Sequence, residues 1–247
     1  MHAKDADDAY RADLAYIHDA GFGGFAAAAA QSLLGLLRAQ SVRKGLIVDL
    51  GCGSGILAAA LVEAGYDVLG FDISLAMVEL SRRRVPHGTF RQASILDAEF
   101  PACVAVTAVG EIFNYLFDPR NSPAALNRVF RRVHAALSPG GWFLFDAALP
   151  GRVPDGSRRN FTAGNDWACL YEAVEDPRRK LLTRRITTFR KIGNAYRRDY
   201  EVHRQRLYER RELLAPLRRL GFRVRALPGY VDLTFPPGYA AFLARKS

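Results

Sequence analysis

Val48-Asp49-Leu50-Gly51-Cys52-Gly53-Ser54-Gly55 is the stretch on which the fold of this 247-residue chain turns. It closes a short apolar run, residues 45–50 (GLIVDL), with an acid and then alternate glycines. Such a run reads as a buried strand entering a tight turn, and residues 56–64 read as the helix that leaves it. Glycines at this turn let the backbone approach a ligand with no side chain in the way, and the helix start offers unpaired N–H groups. Working outward, residues 66–72 predict a second strand ending at Asp72, and residues 74–84 a helix with Ser74 as its N-cap. Residues 89–93 and 103–109 follow as strands. Residues 121–137 predict a helix with Pro123 in its first turn, stopped by Ser138-Pro139-Gly140-Gly141, and residues 142–146 (WFLFD) the next strand. This alternation predicts an α/β fold with a doubly wound, mostly parallel sheet and helices on both faces.

Beyond residue 150 the pattern changes. Residues 167–175, 181–191 and 196–208 are long polar-apolar stretches separated by Asp176-Pro177 and Gly193-Asn194, which suits antiparallel strands with one wet face. Residues 209–220 predict a helix, and 222–227 and 239–245 two strands that close the sheet as a hairpin. With no repeat and no low-complexity linker, the chain reads as one domain carrying an inserted antiparallel β subdomain.

Composition narrows the class. At 49% hydrophobic and 24% charged, the chain is neither disordered nor a disulfide scaffold. Cys52, Cys103 and Cys169 are too few and too scattered for a disulfide framework or a metal site, which predicts no metal and a reducing, cytoplasmic setting. The start, with Lys4, Asp5, Asp7, Asp8 and Asp13, lacks the basic-then-apolar order of a signal peptide. The uncharged run 20–37 contains four glycines, Gln31 and Ser32, so a buried or amphipathic helix is expected there and no membrane span. Charge is lopsided: residues 1–150 carry 13 Lys+Arg against 15 Asp+Glu, and residues 151–247 carry 22 against 10, a net +12. Arginine supplies 30 of the 35 basic residues, and its planar fork suits carboxylate or phosphate.

A glycine loop alone is shared with dinucleotide sites. Here, however, Ile56 occupies the place of the third dinucleotide glycine, and Asp49 stands two residues before Gly51, where an acid disfavours a pyrophosphate and suits a cation. Asp72, 17 residues after Gly55, lies where a carboxylate can accept both hydroxyls of a ribose. The combination describes a ligand with a ribose and a positive charge but no phosphate.

These residues resemble the class I S-adenosylmethionine-dependent methyltransferases. VDLGCGSG is similar to that family's first motif and Phe71-Asp72-Ile73-Ser74 to its acidic second motif. Ala93-Ser94-Ile95-Leu96-Asp97 resembles the adenine-contact loop, and Leu137-Ser138-Pro139-Gly140-Gly141-Trp142 the late turn before strand five. The resemblance covers residues 40–150 and implies a Rossmann-like, seven-stranded fold. It assigns residues 1–40 to an N-terminal helical lid, 41–150 to the cofactor core, 151–208 to a substrate roof, and 209–247 to the closing helix and strands. It further implies S-adenosylmethionine as cofactor, with Gly51, Cys52 and Gly53 along its methionine part, Asp49 near the ammonium and Asp72 on the ribose. Ile73 would pack on the adenine, Ser94 or Asp97 would reach the exocyclic amine, and Ile95 through its N–H and Gly110 would complete the set. Many relatives have Gly-Asp where this chain has Ala93-Ser94, so the two side chains stay open as alternatives.

Acceptor residues are sought at the sheet's carboxyl edge and on the roof. Residues 109–115 (VGEIFNY) follow strand four, which makes Glu111 a candidate catalytic acid or base and Asn114 and Tyr115 substrate contacts; the plainer alternative is a helix cap and core filler. On the strand 196–208, side chains alternate, so Asp199, Glu201, His203 and Gln205 share one face. Glu201 and His203 are candidates to hold an amine or take up its proton, as in the similar Glu-x-His strand of small-molecule N-methyltransferases, against the reading of an exposed polar face. Tyr16 and Trp167 are candidate pocket residues, His18 a lid residue, and His134 surface or core.

The expected reaction is transfer of a methyl group to nitrogen or oxygen of a small molecule, by a monomer or homodimer without nucleic-acid or membrane partners. The rivals are an RNA or protein methyltransferase using the basic tail, a nicotinamide oxidoreductase and a non-catalytic binder. No recognised RNA-binding module appears. Because the +12 spreads over both faces of the roof strands, the charge argument sharpens to a small acidic substrate.

Overall fold

A computed structural model describes residues 9–247. The part of the lid expectation that concerns residues 1–8 lies outside the described residues.

Helices α1 (Ala12–Gly21) and α2 (Gly24–Ala39) lead into strand β1 (Leu46–Leu50), and α3 (Ile56–Glu63), β2 (Asp67–Asp72), α4 (Leu75–Arg84) and β3 (Thr89–Gln92) follow. Then come β4 (Cys103–Ala108), α5 (Pro123–Ala136) and β5 (Leu137–Ala148). The second part holds β6 (Ser157–Ala163), β7 (Trp167–Asp176), β8 (Leu181–Ile192), β9 (Ala195–Arg206) and α6 (Arg210–Arg219). It ends with β10 (Phe222–Leu227), β11 (Gly229–Tyr230), β12 (Leu233–Thr234) and β13 (Tyr239–Lys246). The central sheet has seven strands in the order β10-β13-β5-β4-β1-β2-β3. Its β1, β2, β3, β4 and β5 run parallel, while β13 pairs antiparallel with both β5 and β10. The chain order reverses beside β1, and a parallel sheet presents its ligand crevice at such a switch point.

Both faces are covered. One core joins Val48, Leu50 and Val106 to Leu126, Val129, Phe130 and Val133 of α5 and Leu213 and Leu217 of α6. The other joins Ile47, Val68 and Ala105 to Leu33 and Leu37 of α2, Leu57 and Leu61 of α3 and Val78 of α4. Ser74 caps α4 by accepting from Met77 N–H, and Ser122 caps α5 ahead of Pro123.

Four local differences from the sequence reading have physical causes. The uncharged run 20–37 is two helices, because the chain turns at Phe22 and Gly23 and α1 and α2 meet at 59°. No single helix among the described residues is long and apolar enough to cross a membrane. Strand β5 begins at Leu137, before the Pro139-Gly140-Gly141 stop, and absorbs it as a register shift opposite Cys103 and Ala105. Strand β6 was not expected. Its SRRNFTA sequence lies on a sheet edge and is exposed almost throughout, so it carries no burial period to read. The two-residue hairpin β11–β12 was missed for want of length.

The insert is a four-stranded antiparallel sheet, β6-β7-β8-β9. The core segment 114–116 docks on its last strand: Leu116 N–H donates to Arg204 O (2.9 Å) and Arg206 N–H to Asn114 O (2.8 Å). The expected alternation on β9 holds, with Glu201, His203 and Gln205 buried and Tyr200 and Val202 exposed.

Candidate active site

A cavity of about 1170 Å³ opens where β1, β2 and β4 end. It exceeds the usual volume of a pocket for one small ligand, roughly 300–1,000 Å³. One half is floored by the glycine loop. Gly51 and Cys52 N–H both donate to Phe71 O (2.7 and 2.9 Å), which folds the loop onto β2. Gly51 (φ +70°), Gly53 (φ +53°) and Gly110 (φ +98°) hold left-handed backbone. A Cβ at Gly51 would strike Ile112 at 2.3 Å, whereas Gly53 and Gly110 have open space on that side and line the cavity. Asp72 lines it too: its Oδ2 accepts from Gly53 N–H (2.9 Å), its Oδ1 from Ser74 N–H (2.9 Å), and burial pushes its pKa up to about 6.

Asp49 lies beneath the loop, outside the cavity wall. It accepts from Thr107 Oγ1 (2.7 Å), and burial lifts its pKa to about 7. Cys52, Ile73, Ser94 and Ile95 line the same half. Of the two alternatives beyond strand three, Ser94 is in the wall, while Asp97 is turned outward onto Arg120 (2.6 Å). Ser94 Oγ donates to Asp118 Oδ2 (2.6 Å), a wall residue the sequence reading missed. Burial works against ionising Asp118, but Arg120 and Ser94 outweigh it and hold its pKa at about 2.

The other half is walled by the insert and α1. Glu111 sits at φ +62° with its carboxylate buried. Arg184 grips it with two bonds (2.7 and 3.1 Å), while Arg152 Nε (3.2 Å) and Gln205 Nε2 (2.9 Å) complete the ring. Burial would raise its pKa, yet Arg184 and Arg152 win and hold it at about 2. Expected as an acid or base, Glu111 is instead a fixed anion that orients two arginines. The loop bearing it is fastened by Asp146, which accepts from Gly110 and Glu111 N–H (2.9 and 2.6 Å) and from the hydroxyls of Tyr230 and Tyr239 (2.6 Å each).

Glu201 and His203 are brought together, with His203 Nε2 2.8 Å from Glu201 Oε2, but neither lines the cavity. The Glu201 carboxylate accepts the N–H groups of Tyr10 and Arg11 (2.9 Å each), and so pins the start of α1. Tyr10, with φ +47°, lays its ring 4.9 Å from that of His203 and bonds its hydroxyl to Tyr115 (2.8 Å); both tyrosines line the cavity. The pair expected to meet substrate therefore stands behind a tyrosine screen.

Three further expectations are corrected. Asn114 is fully buried outside the wall, donating to Ala148 O (2.8 Å) and Arg206 O (2.6 Å) and accepting from Ala148 N–H (3.0 Å), so it splices core to insert. Tyr16 bonds Asp166 (2.7 Å) under the Arg190 guanidinium, and Trp167 packs on Leu14 and Ile17; neither reaches the cavity. His18, by contrast, does line it. Its Nδ1 is buried without a partner, and burial lowers its pKa to about 4. His134 stacks edge-on against Phe222 (5.0 Å), away from the site. Among the described residues no cluster of His, Cys, Asp and Glu could hold a metal ion.

Residues 47–141 match a family described as a methyltransferase domain. The chain is 25% identical over 226 residues to a putative methyltransferase, YqeM, of Bacillus subtilis (strain 168), covering 85% of this chain and 88% of that one. Its fold is that of an S-adenosylmethionine-dependent methyltransferase from Clostridium acetobutylicum ATCC 824, with TM-score 0.79 and 18% identity over 94% of this chain and 97% of that one. The sugar N-methyltransferase KedS8 from Streptoalloteichus sp ATCC 53650 shares it at TM-score 0.74 and 21% identity, over 94% and 92%.

Proposed function

From the premise that this chain is a class I methyltransferase, we propose that it moves a methyl group from S-adenosylmethionine to a small-molecule acceptor held in the second half of the same cavity. The observation that carries the reading is the cradle itself. Gly53 and Gly110 leave open just the space that a Cβ would fill, beside a carboxylate, Asp72, at the end of β2. A floor with a carboxylate, whose Gly51 and Cys52 N–H groups are already spent on Phe71 O, fits a cationic nucleoside better than a dinucleotide's pyrophosphate. In this assignment Gly51, Cys52 and Gly53 hold the methionine part and Asp72 the ribose; Ile73, Ser94, Ile95 and Gly110 hold the adenine side, with Asp118 backing Ser94. Asp49 acts through the field it casts from beneath the loop.

S-adenosylmethionine supplies an activated methyl group on a positively charged sulfur, so the protein's share of the work is to position, enclose and desolvate. Tyr10 and His18, from the approach to α1 and from α1 itself, form with Tyr115 the wall against which the acceptor sits. His18 Nδ1, neutral at pH 7, accepts a hydrogen bond from the acceptor's N–H or O–H and orients its lone pair. Glu201 and His203 serve by fastening that wall.

An RNA or protein acceptor has less support. Six of the 22 basic residues past residue 150 are held in twos on a shared carboxylate: Arg197 and Arg190 on Asp13, Arg159 and Arg185 on Glu172, Arg184 and Arg152 on Glu111. The chain is read as one catalytic domain, monomeric or dimeric. Its three free, buried cysteines fit a reducing cytoplasm. Calorimetric titration with S-adenosylmethionine tests the reading directly: one site per chain is expected, and no heat from protein shown to be folded by circular dichroism would end it.

A further inference from the structure

The insert's share of the cavity wall includes Arg152, Arg158 and Arg184 and no carboxylate. Glu111 is the carboxylate paired with them, gripped by Arg184 and Arg152, while Asp72 and Asp118 lie in the cofactor half. Arg184 commits both terminal nitrogens to Glu111, whereas Arg152 offers only its Nε and keeps its terminal nitrogens uncommitted. Arg158 has no ion pair or hydrogen-bonded carboxylate among the described residues. The register explains why these charges converge. Arg158 on β6 stands opposite Ala173 on β7, and Ala173 opposite Arg184 on β8, so the three form one row across the sheet, on the face toward the cavity. Strands about 4.8 Å apart put the two arginines roughly 10 Å from each other, with only a methyl group between. Two guanidiniums in excess of the carboxylate paired with them, Arg152 partly buried and Arg158 reaching in from the exposed edge strand, set up a positive field at the cavity that favours a counter-charge between them. The slot over Ala173 provides room for one.

Resting on the function proposed above, we infer that the acceptor carries an anionic oxygen group, a carboxylate or a phosphate, seated over Ala173 between Arg158 and Arg152. Glu111 and Arg184 form the rigid frame of this clamp. The acceptor's anion also fixes which of its atoms faces the methyl donor, so the clamp sets both affinity and position.

Three probes of similar size, benzoate, phenyl phosphate and uncharged benzamide, are measured by saturation-transfer NMR on the full chain, with and without S-adenosylhomocysteine. The cofactor product's own affinity is measured by calorimetry on the same samples. Benzoate or phenyl phosphate is expected to bind at least about tenfold more tightly than benzamide, and Arg152→Gln and Arg158→Gln to lose that margin, as charge-assisted bonds disappear. Arg152→Lys keeps part of it, Ala173→Leu closes the slot, and all four variants retain S-adenosylhomocysteine binding. Preference for phenyl phosphate assigns the group as phosphate, and preference for benzoate as carboxylate. Benzamide matching the anions, arginine variants that bind as the parent does, or no anion binding at all would overturn the clamp. Arginine-dependent anion binding by a chain that ignores S-adenosylhomocysteine would uphold the clamp and overturn the cofactor reading.

Discussion

At the scale of single residues, Asp72 and Glu111 are buried carboxylates driven in opposite directions. Burial holds Asp72 near pKa 6, above its ordinary range, because its two N–H donors only partly replace water. Raised in this way, it loses its charge as pH falls through about 6. A ligand that needs the carboxylate ionised then weakens by up to about tenfold per pH unit below that point. S-adenosylmethionine affinity measured by calorimetry from pH 8 to 5 is expected to follow this course, and Asp72→Ala to abolish binding at every pH. Glu111 has its pKa lowered to about 2, so the stability it contributes is full above the unfolded value near 4.5 and is lost as pH falls toward 2. Glu111→Gln strands two partly buried arginines and is expected to cost about 3 kcal/mol in urea unfolding at pH 7, the gap from the parent narrowing below pH 4. Gly53→Ala adds a methyl group where there is open space but at φ +53°. It is expected to cost about 1 kcal/mol in stability while reducing cofactor affinity far more, since the methyl group enters the cradle.

At the scale of elements, α1 is a lid whose first turn is fastened by backbone rather than by side-chain packing alone. Glu201 takes the N–H groups of Tyr10 and Arg11 just ahead of that turn, and Arg197 and Arg190 hold Asp13. Glu201→Gln weakens these charge-assisted bonds. The amides of residues 12–21 are then expected to exchange hydrogen about tenfold faster while those of β7 and β8 keep their protection. Unchanged exchange in α1 would show that the latch lies elsewhere. The lid also marks what the sequence could and could not tell. The cofactor floor was readable because strand, glycine loop and acid follow one another within residues 46–72, so their geometry is local. The alternation on β9 correctly put Glu201 and His203 on the inner face. Sequence cannot say that Tyr10, nearly 200 residues away, is folded across that face by a left-handed turn. Arg152, Arg184 and Asp118 went unread as site residues for the same reason: each comes from a different element, and only tertiary packing brings them to one cavity. Tyr16, Asn114 and Trp167 were aromatic or polar residues in the right neighbourhood whose side chains turn the other way.

At the scale of the molecule, the central sheet and the insert are separate layers joined at a few places, the Asn114 splice and the Glu111 ring foremost. The chain's two tryptophans report on one layer each, Trp142 on β5 and Trp167 on β7. In single-tryptophan variants, urea unfolding followed by fluorescence is expected to give coincident midpoints, as for one cooperative unit. Adding Asn114→Ala removes three buried hydrogen bonds and is expected to lower the Trp167 midpoint before the Trp142 midpoint. Coincident midpoints in that variant would mean that the remaining contacts suffice to couple the layers.

The inserted strands have one further consequence, for how such a protein changes over generations. Because their side chains alternate between cavity and solvent, a substitution on them meets either the acceptor or the medium, and the glycine loop meets neither change. Inward positions such as Cys169, Tyr171, Ala173, Leu182 and Ile186 are free to drift toward a new acceptor while the cofactor half is held constant under its own selection. The fold thus separates inheritance of the chemistry from inheritance of the preference, and a lineage can exchange the second without first losing the first.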